Sequence, residues 1–254
     1  MPPPRVTQSS SGRTPPRIFN APPGWHPPHQ DQSITNFRVP AAVTLSISIF
    51  RAKSATQGQL PALISKAREL LQKYGFTLDV YPADGNPTVI DFDGTYKVSQ
   101  TGDTDFEDAE ATTIRQKAAE AFDDRANPVR LPVIMVNIEQ NPKADSAVTG
   151  RTLVDFSSAA GDGRKTVNGA TWLPYTLLDA RASVSDAVTL LHEMGHGALL
   201  RHWNDDHDGI DLSDTMNIMF FPNSQGGLIR STINKKQVRA FARCYYGNPK
   251  LRNF

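Results

Sequence analysis

The chain lacks most of what marks a protein for a charged partner, a membrane or an oxidising compartment. Its 254 residues carry 27 Lys and Arg against 26 Asp and Glu, for a net charge of +1. Such a balance, with no basic run, withholds the positive stripe that grips phosphate backbones, so no nucleic-acid partner is expected. No apolar stretch approaches the roughly 18 residues needed to cross a bilayer, so no membrane span is expected either. The lone cysteine, Cys244, excludes an intrachain disulfide and reads as a small buried hydrophobe in a C-terminal helix. The chain does not open on a charged start, an apolar core and a small-residue cleavage site. The expected location is therefore cytoplasmic, or secreted by a route that needs no cleavable signal peptide. Two absences are local: no histidine occurs between His29 and His192, and no glutamate after Glu193.

What is present is unevenly spread. Ten of the 19 prolines fall in the first forty residues, among Ser, Gln and Asn. Residues 1–37 are expected to be a disordered or polyproline-like tail, inert or docking to a partner, with His26 and His29 in it unligated. Residues 38–254 form the expected single domain.

Four of the six histidines gather at 192, 196, 202 and 207. The run His192-Glu193-Met194-Gly195-His196 puts two imidazoles four residues apart, which on a helix stand on one face about 6 Å apart along the axis. Both can reach one ion, and Glu193 then lies beside it as a base for a water whose pKa the ion lowers. Upstream, Ser183 with Asp186 three residues later opens a helical period that carries the motif. Ten helical residues would place His202 about 15 Å beyond His192, so His202 joins only if the helix stops soon after His196 and the chain turns back.

This pattern resembles the metzincin clan of zinc metallopeptidases, whose signature is HExxHxxGxxH followed by a methionine-containing turn. His192, Glu193, His196 and His202 match by position. The resemblance implies one zinc per chain on the three histidines, with Glu193 as the catalytic acid–base. Leu199 stands where the clan has a left-handed glycine, at a cost of about 1–2 kcal/mol if it bears that conformation. Either Leu199 bears it, or Gly197 turns the chain two residues earlier; failing both, His207, Asp205 or Asp206 becomes the substitute ligand. The thermolysin-like group needs a downstream glutamate ligand and the aspartate-ligand group a Gly-Thr-x-x-Asp segment. Neither is present, so histidine remains the best third ligand.

The second half of the resemblance is Asn217-Ile218-Met219-Phe220-Phe221-Pro222. Met219 is the expected turn methionine, with Met216 as alternative, and Phe220, Phe221 and Pro222 are the implied apolar wall of a substrate pocket. Phe221 occupies the place of a tyrosine that assists some members, so no second electrophile is assigned. Between the two motifs, residues 204–211 partly copy a calcium loop, but asparagine opens it and no acid stands at its twelfth place, so calcium is only weakly supported.

Periodicity predicts strands at 41–50, 77–81, 88–92, 131–138 and 169–178, and helices at 60–74, 103–124, 184–196 and 234–246. Residues 131–138 are the most apolar strand and so are expected at the centre, and 156–163 read as a Gly/Ser/Ala loop. The fold class is α+β (mixed α/β): a twisted mixed sheet with an active-site helix and a short C-terminal lobe, as in metzincin-like zincin catalytic domains. The expected function is a zinc endopeptidase acting on a protein or peptide substrate. The alternatives are a non-catalytic zinc-stabilised binding protein and a signal-less secreted effector or toxin with the same chemistry.

Overall fold

The computed structural model describes residues 42–98, 109–122, 130–139, 149–153, 165–167, 170–172, 174–181, 188–200, 202, 216–220 and 230–247. The expected tail at 1–37, the start of the helix expected at 103–124 and the loop at 156–163 lie outside these residues. So do the Ser183 and Asp186 cap and the loop at 204–211.

A seven-stranded mixed sheet organises the chain. Its main path runs β2 (Phe76–Tyr81), β1 (Val43–Ala52), β5 (Leu131–Glu139), β9 (Tyr175–Asp179), β6 (Gly150–Leu153). The first four are mutually parallel and β6 is antiparallel to β9. Two short strands complete it: β3 (Thr88–Ile90) beside the end of β1 and β4 (Thr95–Lys97) beside the end of β5. β5 lies at the centre, as its apolar run predicts, and β1 and β5 are buried on both faces like most parallel strands.

Parity along the strands assigns the helices to layers. Ile47 pairs in register with Leu131, whose methyls approach Gly197 of helix α3 (Thr189–Gly197). Phe50, three residues on, faces the opposite side, where its ring meets Phe122 at 6.0 Å just past helix α2 (Ala109–Ala121). Helix α1 (Leu60–Gln72) packs beside α3, burying Leu60, Leu63, Ile64, Ala67, Leu70 and Leu71 along one stripe. It stops two residues before the expected Tyr74, and Gly75 follows at φ 80°. No helix among the described residues is long and apolar enough to cross a membrane.

The helix expected at 184–196 begins only at Thr189, with Val188 as its N-cap, and two further expectations change. The strand expected at 169–178 is two: β8 (Ala170–Trp172), which pairs with β7 (Lys165–Val167) in a separate hairpin, and β9. Pro174 separates them, because it has no N–H for a ladder, and its carbonyl accepts the Tyr245 hydroxyl at 2.7 Å. The last helix, α4 (Lys235–Arg243), ends three residues before Tyr246; Cys244 caps it in an extended conformation and is buried.

At the other end of α4, Asn234 Oδ1 accepts from Gln237 N at 2.8 Å and Gln237 Oε1 accepts from Asn234 N at 3.0 Å, a reciprocal capping box. Gln237 is buried and also pairs with Asn217, so the cap anchors more than its own helix. Asn234→Ala is expected to lower unfolding stability by about 1–2 kcal/mol, read by denaturant titration, whereas a change below about 0.3 kcal/mol would show the cap to be idle.

Candidate metal centre

Helix α3 presents His192 and His196 on one face, as their spacing requires. Its C-terminal end brings His202 back to them. The three imidazoles offer ligand nitrogens that all lie within 4.8 Å of one another, and this is the group found among the described residues that could hold a metal ion. His196 Nε2 stands 3.2 Å from His192 Nε2 and 3.2 Å from His202 Nε2. Tetrahedral ligation with metal–nitrogen bonds of about 2.0–2.1 Å demands nitrogen separations of about 3.3 Å, which the two separations at His196 match.

For His192 and His196 the other ring nitrogen explains why Nε2 faces inward. His192 Nδ1 lies 2.7 Å from the Ile218 carbonyl and His196 Nδ1 lies 2.8 Å from the Leu200 carbonyl. A carbonyl oxygen only accepts, so each Nδ1 carries the proton and each Nε2 is left with a bare lone pair. Two bare lone pairs 3.2 Å apart repel each other; a cation between them turns the repulsion into ligation. The donor set is thus neutral imidazole, which suits zinc and other divalent first-row metals.

The turn that returns His202 is a Schellman closure of α3. Leu199 N donates to His196 O at 2.8 Å and Leu200 N donates to Gly195 O at 3.0 Å. Leu199, between them, has φ 66° and is the one described non-glycine residue in the left-handed region. Leu199 therefore bears the conformation that glycine would take at lower cost, and Gly197 stays helical. His207, Asp205 and Asp206 lie outside the described residues.

Met219 sits beneath the helix. It is fully buried, whereas Met216 is 50 % exposed. A Cβ on Gly195 would stand 2.2 Å from Met219 Sδ, so the glycine admits the methionine against the helix backbone. Asn217 shapes the turn: its Oδ1 accepts from Met219 N at 2.9 Å and from Gln237 Nε2 at 2.7 Å. Ile218 N donates to Thr232 O at 3.0 Å, and Met216 O accepts from Ser231 N and Thr232 N. Phe220 is partly exposed beyond the turn, while Phe221 and Pro222 lie outside the described residues.

Glu193 is 4 % exposed and lies under the sheet edge. Its Oε2 is 2.7 Å from Thr152 Oγ1, which is also 2.8 Å from Thr176 Oγ1. A Cβ on Gly150 would come 2.8 Å from Glu193 Cγ and 2.9 Å from its Oε1, so the glycine of β6 leaves the space that the carboxylate fills. Thr152 and Gly150 carry no sequence signal of their own. Asn217 was visible as a member of the turn motif, and the signal that could have found Gln237 is the Asn-x-x-Gln spacing of a capping box.

No protein-family model matches the chain, and a search of curated proteins finds no match.

Burial pushes the His192 imidazole down from 6.5 to about 4, the nearby His202 charge adding to this and the Ile218 carbonyl opposing it; burial likewise holds His196 well below its ordinary value. Both are neutral, and so ready to ligate, at neutral pH. For the metal-free protein the folded state binds fewer protons than the unfolded state between about pH 6.5 and 4. Stability therefore falls as pH drops through that window and levels off below it. The expected loss from His192 alone is about 3 kcal/mol, measured by denaturant unfolding in chelator; a flat profile from pH 7 to 4 would refute the neutral cluster.

Leu199 supplies a second test. Leu199→Gly should keep the metal with little loss of stability, while Leu199→Val, β-branched in the left-handed region, should cost about 1–2 kcal/mol and weaken metal binding. Equal metal affinity in both variants would show that the turn does not place His202.

Proposed function

We propose that the protein is a zinc endopeptidase of metzincin type. The observation that carries the reading is the convergence of the His192, His196 and His202 nitrogens beside a buried glutamate on the same helix. The element order, the edge strand next to that helix, and the buried Met219 under it agree with the clan's arrangement. Zinc would supply a Lewis acid that lowers the pKa of a water and polarises the carbonyl of the scissile bond.

The chain's own groups then have distinct tasks. Glu193 takes a proton from the attacking water on its carboxylate and delivers it to the departing amide nitrogen. Thr152 holds Oε2 of that carboxylate in place, and Gly150 gives it room. β6 ends the sheet and pairs only with β9 among the described residues. An extended peptide adding to its outer edge would run past Glu193, with main-chain hydrogen bonds fixing its register. Phe220, partly exposed beyond the turn, would help wall the pocket for the side chain after the cleaved bond.

The test pairs metal content with cleavage of a peptide library. The parent should hold one zinc per chain and cleave; Glu193→Gln should hold the same zinc and lose at least about a hundredfold in rate. Gly150→Ala, which pushes a methyl into the carboxylate, should likewise keep zinc and lose activity. Zinc in all three without cleavage by any would instead support a zinc-stabilised binding protein.

A further inference from the structure

Behind His192, on the side away from the other two imidazoles, lies a guanidinium that the chemistry above does not use. Arg230 is 5 % exposed. Its Nη1 donates to Ile218 O at 3.2 Å and to Phe220 O at 3.0 Å, and stands 2.9 Å from His192 Nδ1. Burial lowers its pKa to about 10, so it remains a cation at neutral pH.

These contacts bear on one atom. The Ile218 carbonyl accepts a hydrogen bond from His192 Nδ1–H and thereby selects the nitrogen that faces the cluster. Arg230 fastens that carbonyl and the one two residues later, spanning Met219. We propose that Arg230 is a positioning residue of the metal centre: by bridging the Ile218 and Phe220 carbonyls it fixes the turn so that His192 points a bare Nε2 at the ion.

The close approach to Nδ1 sharpens the argument. An Nη1–H aimed at Nδ1 would stabilise the other tautomer, with the proton on Nε2 and no lone pair for a metal. Two carbonyl acceptors on the same Nη1 draw its hydrogens away from Nδ1, leaving that nitrogen to donate. A group at this position therefore acts on tautomer as well as on packing. Lysine could supply charge and donors but not the rigid, coplanar N–H pair of one guanidinium nitrogen, and methionine could supply bulk without either.

The proposal rests on the three histidines as a metal centre and not on peptidase activity, so its test uses metal alone. In the full-length chain, zinc affinity is measured by chelator competition and the ligand field by the visible spectrum of the cobalt-substituted protein, with circular dichroism to establish folding. Arg230→Met should bind zinc about 10- to 100-fold more weakly and shift the cobalt bands, and Arg230→Lys should do so by a few-fold. A purely structural role would lower the melting temperature and leave the cobalt spectrum unchanged. Either variant, once folded, that binds zinc within about twofold of the parent with the parent's cobalt bands overturns the proposal. A parent that takes up neither metal removes the centre and the proposal with it, whereas cleavage retained by such a parent-like variant would leave the peptidase reading standing.

Discussion

Two backbone carbonyls determine what the histidines can do. The oxygens of Ile218 and Leu200 accept hydrogen bonds from Nδ1–H of His192 and His196, and because of that the Nε2 atoms meet as lone pairs. An imidazole without such a partner is free to turn or to exchange tautomer, and the cluster would then bind protons as readily as metal. The fold can be read as a means of placing those two oxygens. Leu200 is placed by the closure of α3, and Ile218 by a turn held between Thr232, Asn217 and α4. The partner of Asn217, Gln237, belongs to the capping box of α4, so a helix-end device more than thirty residues from His202 helps hold an acceptor for His192. Outer groups of this kind set ring orientation and ligand basicity as much as the ligands themselves do.

Burial works in the same direction. His192 and His196 are neutral because a charged imidazole is poorly solvated there, and a neutral imidazole is what a metal needs. The same desolvation leaves a metal-free centre with a pH-dependent weakness. Stability and ligand competence at this site therefore share a cause: α3 is covered on two sides, by Leu131 of the sheet at Gly197 and by the buried Met219 at Gly195.

Much of this was legible in the chain, and the rest was not for physical reasons. Spacing gives His192 and His196 their shared face, because helical period is a local property. The apolar run of β5 announces its central place, since a strand covered on both sides has no polar face to show. β6 was not legible: Gly150, Arg151 and Thr152 have the composition of a loop, and what holds them comes from partners distant in sequence, Glu193, Tyr96 and Thr176. Arg230 escaped for the same reason, its contacts lying ten or more residues away on carbonyls that carry no sequence identity. The single strand expected over 169–178 is two because a run rich in β-branched and aromatic residues hides one missing N–H at Pro174. Motif residues are local and visible; the groups that orient them are long-range and are not.

Leu199 shows the limit of reading a motif letter by letter. Glycine in the clan's pattern stands for a backbone angle, and a residue is required there only in so far as it can adopt that angle. A leucine can, at about 1–2 kcal/mol, if other bonds over-determine the turn. Here they do: the two Schellman bonds, the hydrogen bond from His196 Nδ1 to Leu200 O, and the burial of Leu200 against Gly195 all require the same geometry. A metal joining His196 to His202 across that turn would add a further restraint, and its binding energy would offset the strain that the leucine introduces. On this argument the departure from glycine moves the burden of the turn from one residue's freedom to the contacts around it. It leaves the placement of His202 intact, but makes that placement depend on the rest of the centre.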